Sequence, residues 1–172
     1  MRILLCAAVL LLLVTGQSGA ADAISNARTA SLKSPPRFRD FRVTEVYSGP
    51  VAQPRLTSRE AREFRTRLRE AASGKPNFAG HYLVAQWGCG TECVTGAIID
   101  AKTGAVTFFP FLDLCCWGKV ADRFEPIKFR LDSRLITFSG ELGEKPPLAN
   151  HHFVLSRGRF KPLGMTKFDP NG

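Results

Sequence analysis

The sequence predicts an α+β domain: an antiparallel β-meander, open or curled towards a barrel, with one amphipathic helix packed on it. One stretch before Pro76 has helical periodicity, whereas short apolar runs alternate with turn signals in the rest of the chain. The connections there are too short for the crossovers that parallel strands require. The chain has 172 residues and is 44% hydrophobic and 23% charged, which indicates one globular domain and excludes wholesale disorder.

The first 20 residues have the three parts of a secretory signal peptide. Arg2 supplies a positive start, residues 3–14 are apolar, and small residues follow, so cleavage is expected at 20–23. An apolar run of about 12 residues is shorter than the roughly 20 that a membrane-spanning helix needs. We therefore expect a periplasmic or secreted protein that has no transmembrane anchor.

Residues 21–36 are predicted to form a flexible arm, and residues 37–172 a single disulfide-braced domain. The arm is polar, small and basic and has little to bury. Alternating apolar residues predict a first strand over 41–47, which the turn residues Gly49 and Pro50 close.

The one predicted helix extends from Thr57 to about residue 72. Thr57 and Glu60 fit the capping-box pattern, in which the first side chain accepts a hydrogen bond from the N–H three residues on. Gly74 and Pro76 end the helix. Apolar residues recur along one face at helical spacing and are expected to pack on the sheet: Ala61, Phe64, Leu68, Ala71 and Ala72.

The chain after Pro76 is predicted to be β-structure. Short strands are expected at 81–87, 94–99, 105–109, 127–131, 135–139, 152–155 and 160–163. If Asp100 and Ala105 are opposed across their turn, antiparallel pairing places Ile98 opposite Thr107. The chain then returns towards the end of the sheet at which the cysteines lie.

Cysteine count and compartment together predict disulfides. The sequence has five cysteines, and cleavage of the signal peptide would remove Cys6. An even number in an oxidising compartment favours disulfides over free thiols. The expected register brings the four that remain to one end of the sheet: Cys89, Cys93, Cys115 and Cys116.

The pairing of these four cysteines has two solutions. A bridge between Cys89 and Cys93 would clasp a hairpin, because opposed positions reach the roughly 5.5–6 Å Cα spacing that a disulfide prefers. Cys115 and Cys116 would then form a strained vicinal bridge, since adjacent Cα atoms are only roughly 3.8 Å apart. The alternative is cross-pairing, in which Cys89 and Cys93 each join one member of the doublet. Two further hypotheses assign the sulfurs to redox sensing or to a zinc site.

Three short motifs between residues 77 and 111 carry a resemblance to known proteins. The motifs are His81-Tyr82, Trp87-Gly88-Cys89-Gly90-Thr91-x-Cys93 and Asp100-x-x-Thr103-Gly104-x-Val106. With them, the chain resembles a group of small exported proteins of Gram-negative bacteria that carry G-H-Y, W-G-C-G-T-x-C and D-x-x-T-G-x-V. The group has no established activity. The resemblance therefore implies periplasmic residence and assigns no catalytic residue.

The sequence predicts no catalytic residue, metal ligand or cofactor. A cysteine nucleophile would need a free thiolate beside His81, which is expected at the opposite end of its strand from the cysteines. His151 and His152 are neighbours on a predicted strand, so one is expected to face inwards and the other outwards, and they cannot share a metal ion. The sequence contains no paired carboxylates, phosphate-binding loop or serine nucleophile elbow.

Arginines are concentrated on and before the predicted helix. Residues 28–69 contain 11 basic and 4 acidic residues, a local charge of +7 in a chain whose net charge is +9. The candidate binding surface is one flank of the helix and consists of Arg62, Arg65 and Arg69, with Arg59 further round. Arginine forks suit carboxylates and phosphates. The alternative is a solvated charged face, on which Glu63 pairs with Arg67.

These observations predict an exported, non-enzymatic binding protein, in its most concrete form an inhibitor or immunity-type protein that blocks an envelope partner. The expected partner is an anionic protein or another anionic envelope component. Charge alone would permit nucleic acid, but the expected export argues against it. Two alternatives stay open: a thiol–disulfide redox or sensing protein that uses Cys115 and Cys116, and a structural envelope component.

Overall fold

The computed structural model describes residues 30–170 of the chain. The predicted signal peptide, its cleavage region at 20–23 and the first part of the predicted arm lie outside the described residues. Among residues 30–170, no helix combines the length and the apolar character that crossing a membrane requires.

The described chain forms two α-helices and eight β-strands. A 3-10 helix over Phe38–Phe41 comes first, followed by α1 (Arg59–Glu63) and α2 (Arg65–Ala72). The strands are β1 (Tyr82–Gly90), β2 (Cys93–Asp100), β3 (Val106–Phe108), β4 (Leu114–Cys115), β5 (Ile127–Phe129), β6 (Leu135–Leu142), β7 (Ala149–Ser156) and β8 (Arg159–Lys167).

The strands pair antiparallel in one open sheet with the order β1-β2-β4-β6-β7-β8. β3 also pairs with β2, and β5 with β6. The predicted α+β meander is therefore confirmed, in its open form. The predicted β2–β3 register is also confirmed, since Ile98 lies opposite Thr107 and the Asp100 N–H donates to the Ala105 carbonyl over 2.9 Å.

The strand predicted over 41–47 is wrong. Phe41 ends the 3-10 helix, and the segment after it makes only separate hydrogen bonds. The Val43 N–H donates to the Asp132 carbonyl over 3.0 Å, and the Tyr47 N–H donates to the Gly80 carbonyl over 2.8 Å. These two acceptors belong to different connections of the fold, so no continuous ladder forms.

The sequence does not predict strand β4. It has only two residues, which is too short for an alternating pattern to be visible in the sequence, yet it lies between β2 and β6. The last three strands, β6, β7 and β8, are longer than predicted. Their pairing continues beyond the apolar centre of each strand, and Ala149 of β7, for example, still pairs with Lys167 of β8. Partners that are distant in sequence therefore set these strand ends.

The predicted helix is divided at Phe64, whose φ of −91° and ψ of 20° interrupt the helical backbone. The N-cap is Ser58, which corrects the prediction of Thr57. The Ser58 hydroxyl oxygen accepts a hydrogen bond from the Ala61 N–H over 2.9 Å. A serine satisfies this terminal N–H as well as a threonine does, so the helix begins one residue later than predicted.

Two hydrophobic clusters cover the two faces of the β1–β2 hairpin. The helix-side cluster contains Ala61, Leu68 and Ala72, all from the predicted apolar stripe. Phe64 extends it, because its ring stacks on that of Trp87 with centroids 4.7 Å apart. The cluster on the other face is rich in phenylalanine and includes Phe78, Phe109, Phe138 and Phe153.

His151 and His152 are both buried, which corrects the expectation that one of them faces outwards. The His151 Nε2 atom is 3.1 Å from the Gly140 carbonyl oxygen, and the ring nitrogens of His152 are each 2.9 Å from a hydroxyl, of Thr137 and of Thr166. Burial lowers the pKa of both imidazoles, and with the nearby His151 it lowers that of His152 to about 4. Both faces of β7 are thus covered, and both side chains are neutral at pH 7.

The described part of the predicted arm is attached to the edge of the sheet. The Met165 N–H donates to the Ala30 carbonyl, and the Leu32 N–H donates to the Met165 carbonyl, each over 2.8 Å. Ser31 thereby forms a parallel bridge with Met165. Residues 30–32 therefore satisfy backbone groups that β8 would otherwise leave unpaired at its edge.

Candidate functional site

The four cysteines of the predicted domain meet at one end of the sheet. Cys93 and Cys115 lie directly opposite each other on β2 and β4. Cys89 is paired with Cys93, with Cα atoms 5.1 Å apart, and Cys115 is paired with Cys116, with Cα atoms 3.8 Å apart. The chain therefore combines the hairpin clasp with the vicinal bridge, and it does not adopt the cross-paired alternative.

Each of these disulfides has one exposed member. Cys89 and Cys116 are exposed, whereas Cys93 is half-buried and Cys115 is 5% exposed. Each bridge therefore joins a solvent-exposed cysteine to a more covered one. The two covered cysteines are the pair that face each other across β2 and β4.

His81 lies at the opposite end of β1 from the cysteines. It immediately precedes Tyr82, the first residue of the strand, whereas Cys89 is near the last. In the part of the chain that the structure describes, no group of three His, Cys, Asp or Glu side chains is arranged to hold a metal ion. The length of β1 therefore separates the His81 imidazole from the cysteine cluster.

The predicted arginine surface lies on the exposed sides of α1 and α2. Arg62 is engaged with the chain before α1, because its Nη1 donates to the carbonyls of Leu56 and Thr57 over 3.3 and 3.1 Å. The Arg65 Nη1 donates to the Arg62 carbonyl over 3.3 Å. Two of the four predicted binding side chains therefore make hydrogen bonds to the local backbone.

Arg59 and Arg69, the other two members of this surface, are exposed. The ion pair expected between Glu63 and Arg67 is replaced by one between Arg67 and Glu70, with Nη1 3.4 Å from Oε2. One cation of α2 is thus already paired on the helix surface. The arginines of the two helices also come from separate segments, because the break at Phe64 lies between them.

A basic cleft lies at the end of the sheet opposite the cysteines. Its volume is about 770 Å³, and residues 42–49 form one wall, called here the wall segment. The other walls come from the start of β1, the β2–β3 turn, the residue before β6 and the β7–β8 turn. One carboxylate, that of Glu45, lines the cleft. Its cations are all exposed and are Arg42, Lys102, Arg134 and Arg157.

Backbone geometry positions these cations. In the β2–β3 turn, the Asp100 Oδ1 atom accepts a hydrogen bond from the Lys102 N–H over 2.8 Å, which fixes the turn that carries the lysine. The Arg134 N–H donates to the Phe41 carbonyl over 2.9 Å and joins the residue before β6 to the residue that precedes the wall segment. Arg157 occupies the left-handed region, with φ of 52°, in the tight β7–β8 turn.

The carboxylates beside the cleft form their closest charge contacts with residues outside the four cleft cations, although Arg42 also acts electrostatically on Asp132. Asp132 forms a bidentate pair with Arg130 at 2.8 and 2.9 Å, and Asp100 lies 3.9 Å from the His81 imidazole. Within residues 30–170, none of the four cleft cations forms an ion pair. The Lys102 Nζ atom instead lies 5.7 Å from the centre of the Tyr47 ring. Four cations against one carboxylate leave the cleft a net of three positive charges.

His81 and Tyr82 also line the cleft, with ring centroids 4.3 Å apart. Burial lowers the pKa of His81 below 6.5, an effect that Asp100 opposes and Lys102 strengthens. Burial, together with Asp100, raises the pKa of the Tyr82 phenol above 10.0. Both rings are neutral at pH 7, so the positive charge of the cleft comes from its arginines and lysine.

Sequence reasoning did not find this cleft. Arg42 belongs to the basic stretch over residues 28–69, but Lys102, Arg134 and Arg157 are single basic residues in or beside predicted turns. In an antiparallel meander, alternate turns lie at the same end of the sheet. A basic residue at each of these alternate turns is the signal that could have identified the site.

Comparisons of the chain with protein-family models, with curated proteins and with solved structures found no match.

Proposed function

We propose that this chain is an exported, non-enzymatic binding protein that holds an acidic partner protein through its basic cleft. One observation carries the proposal: four exposed cations that form no ion pair in the described part of the chain surround a single cavity. The most concrete version is an inhibitor or immunity-type protein that covers the acidic surface of an envelope partner.

The four cleft cations are well matched to carboxylate ligands. A guanidinium donates two parallel N–H bonds to one carboxylate, and three of the four cleft cations are arginines. Binding does not require an internal ion pair to be broken first, so the attraction is not offset by that loss. The summed field of the cleft would also accelerate encounter with an acidic protein at low ionic strength.

Expected export supports an envelope location for the partner. The signal-peptide pattern and the resemblance to exported proteins of Gram-negative bacteria both favour the periplasm. Two cysteine pairs at disulfide distance are compatible with an oxidising compartment. An acidic envelope protein is therefore the proposed partner, and nucleic acid is not.

The test compares charge reversal at two surfaces, with a hexaglutamate peptide as the carboxylate probe. The cleft variant is Arg42→Glu/Arg134→Glu, and the matched control on α2 is Arg65→Glu/Arg69→Glu, which changes the net charge equally. All four side chains are exposed, so both variants should fold. By calorimetry at low salt, the cleft variant should bind about tenfold more weakly, and the helix variant within about threefold of the parent.

Two outcomes would contradict the cleft. Equal losses in the two variants would indicate a response to net charge alone. A loss confined to the helix variant would place the site on the arginine surface of α1 and α2.

A second candidate function is thiol–disulfide exchange, which the exposure of Cys116 in its bridge to the buried Cys115 favours. An external thiolate would attack the exposed Cys116 sulfur, break its bond to Cys115 and form a mixed disulfide, with Cys115 leaving as a thiolate. A second external thiol would then release Cys116 and depart as an external disulfide, so that two electrons reach the protein.

Alkylation of the native, exported protein without reductant tests this second function. Mass measurement should find two or more labelled thiols if the cysteine cluster cycles between states. Complete absence of label would indicate structural bridges and would remove this candidate.

A further inference from the structure

An apolar groove adjoins the basic cleft across a shared ridge. Residues 46–49 line both cavities, so this part of the wall segment separates them. The groove has a volume of about 600 Å³ and extends to the end of α2. Its lining beyond the ridge is mostly apolar and includes Val51, Ala72, Pro76 and Leu131.

The groove and the cleft differ in the chemistry they offer. Lys75 is the one charged residue that lines the groove, and no carboxylate does. Val46, on the ridge, is 54% exposed and is one of three large hydrophobic residues exposed within residues 30–170. The other two, Leu112 and Leu148, line neither cavity. An apolar group that covered Val46 would therefore complement the groove, as a carboxylate complements the cleft.

The wall segment also presents backbone donors. Two N–H groups of this segment donate hydrogen bonds within the fold: that of Val43 to the Asp132 carbonyl and that of Tyr47 to the Gly80 carbonyl. The N–H groups of Thr44 and Val46 have no backbone acceptor among the residues that the structure describes. Free backbone groups along an exposed segment are what an extended peptide pairs with when it binds by main-chain hydrogen bonds.

We propose that the partner docks through an extended segment in which an acidic residue is next to an apolar residue. The acidic side chain enters the basic cleft, and the apolar side chain enters the groove on the other side of the ridge. Successive side chains of an extended chain point in opposite directions, so two neighbouring residues can straddle the ridge. The inference rests on the proposed function and specifies its partner.

A small free anion does not use the same surface. Inorganic phosphate would contact the cations but would leave Val46 and the groove in water. A polypeptide that spans both cavities also removes apolar area from water, which contributes roughly 25 cal/mol for each Å². The two cavities together therefore select a peptide that carries both kinds of side chain.

The experiment uses three capped hexapeptides as probes, titrated by NMR against the purified, folded protein. Their sequences are Gly-Gly-Glu-Leu-Gly-Gly, Gly-Gly-Glu-Gly-Gly-Gly and Gly-Gly-Gln-Leu-Gly-Gly. The Glu-Leu peptide should bind about fivefold or more tightly than either of the others, because each of them lacks one of the two groups. Its addition should shift amide signals of the wall segment.

Three variants separate the contribution of the apolar ridge to peptide binding from that of the cleft cations. Val46→Ser should remove most of the advantage that the Glu-Leu peptide has over the Glu-Gly peptide. Leu112→Ser, at a side chain that is 82% exposed and lines neither cavity, should change neither affinity. Arg134→Glu should weaken both peptides that contain glutamate.

The outcomes separate this inference from the proposed function. Equal binding of the Glu-Leu and Glu-Gly peptides, lost in Arg134→Glu, would overturn the two-part site and leave the basic cleft standing. Equal binding of the Gln-Leu and Glu-Leu peptides would contradict both. So would the absence of any shift at the wall segment with millimolar peptide.

Discussion

The Nε2 atom of His81 lies 3.9 Å from the Oδ2 atom of Asp100, beside the basic cleft. The other carboxylate oxygen, Oδ1, accepts a hydrogen bond from the Lys102 N–H. The one carboxylate of β2 near the cleft is thus directed at the imidazole and the turn. This arrangement leaves the guanidinium groups of the cleft available to an anion from outside.

Replacement of Asp100 with asparagine should lower the pKa of His81 further. The carboxylate is the one nearby group that raises the pKa of this imidazole, against burial and Lys102, and an amide keeps the acceptor for the turn but not the charge. An NMR titration of the imidazole signals measures the change. Asp132→Asn, whose carboxylate pairs with Arg130, is the control and should leave His81 unchanged. A rise in the pKa of His81 in Asp100→Asn would contradict the assignment.

Phe64→Ala should lower the free energy of unfolding by about 3 kcal/mol. The ring stacks on Trp87 at the break between α1 and α2 and contributes to the helix-side cluster, so its removal leaves a void between helix and sheet. Urea denaturation followed by circular dichroism measures the loss. Thr66→Ala, at an exposed position of α2, should stay within about 0.5 kcal/mol of the parent. A Phe64→Ala loss no larger than this would show that the stacking does not hold the helices.

The protein should lose stability as the pH falls from about 6.5 to about 4. The pKa of His152 is lowered in the folded state from 6.5 to about 4, so the unfolded chain binds the proton more readily throughout this window. The stabilisation is fully present above the window and is lost within it, by a few kcal/mol at most. Urea midpoints measured between pH 7 and pH 4 test the sign. His152→Gln should show a flatter dependence, and a parent protein that gained stability on acidification would contradict the account.

Removal of the hairpin clasp should cost about 2 kcal/mol of stability. The Cys89–Cys93 bridge closes a loop with a sequence separation of 4, and the chain-entropy model gives a contribution of roughly this size for so short a loop. Cys89→Ser/Cys93→Ser is the variant, and Cys89 is exposed, so the change there removes little packing. Denaturation without reductant measures the loss. Unchanged stability would mean that the clasp does not constrain the unfolded chain.

The hairpins of this fold could be predicted from sequence because their information is local. The turn between Asp100 and Ala105 and the alternation on either side fix the β2–β3 register, and this register returns the chain towards the end of the sheet at which the cysteines lie. Segments whose conformation depends on distant partners could not be predicted. Residues 41–47 alternate like a strand but have acceptors in two different connections, and Phe64 leaves the helical conformation where its ring stacks on Trp87.

The basic cleft depends on distant partners in the same way. The sequence concentrates its positive charge before Lys75, and this concentration includes the helix arginines. Three of the four cleft cations lie after this point, each isolated in the sequence. Lys102, Arg134 and Arg157 lie close to Arg42 because alternate turns of the meander meet at one end of the sheet.

The central claim is that the basic cleft, and not the helix surface, receives an acidic partner. A ¹⁵N-detected titration of the folded protein with hexaglutamate at low salt tests it most directly. The account predicts that the largest amide shifts surround Arg42, Lys102, Arg134 and Arg157, with α2 unaffected. Shifts centred on Arg65 and Arg69, with the cleft unchanged, would contradict it.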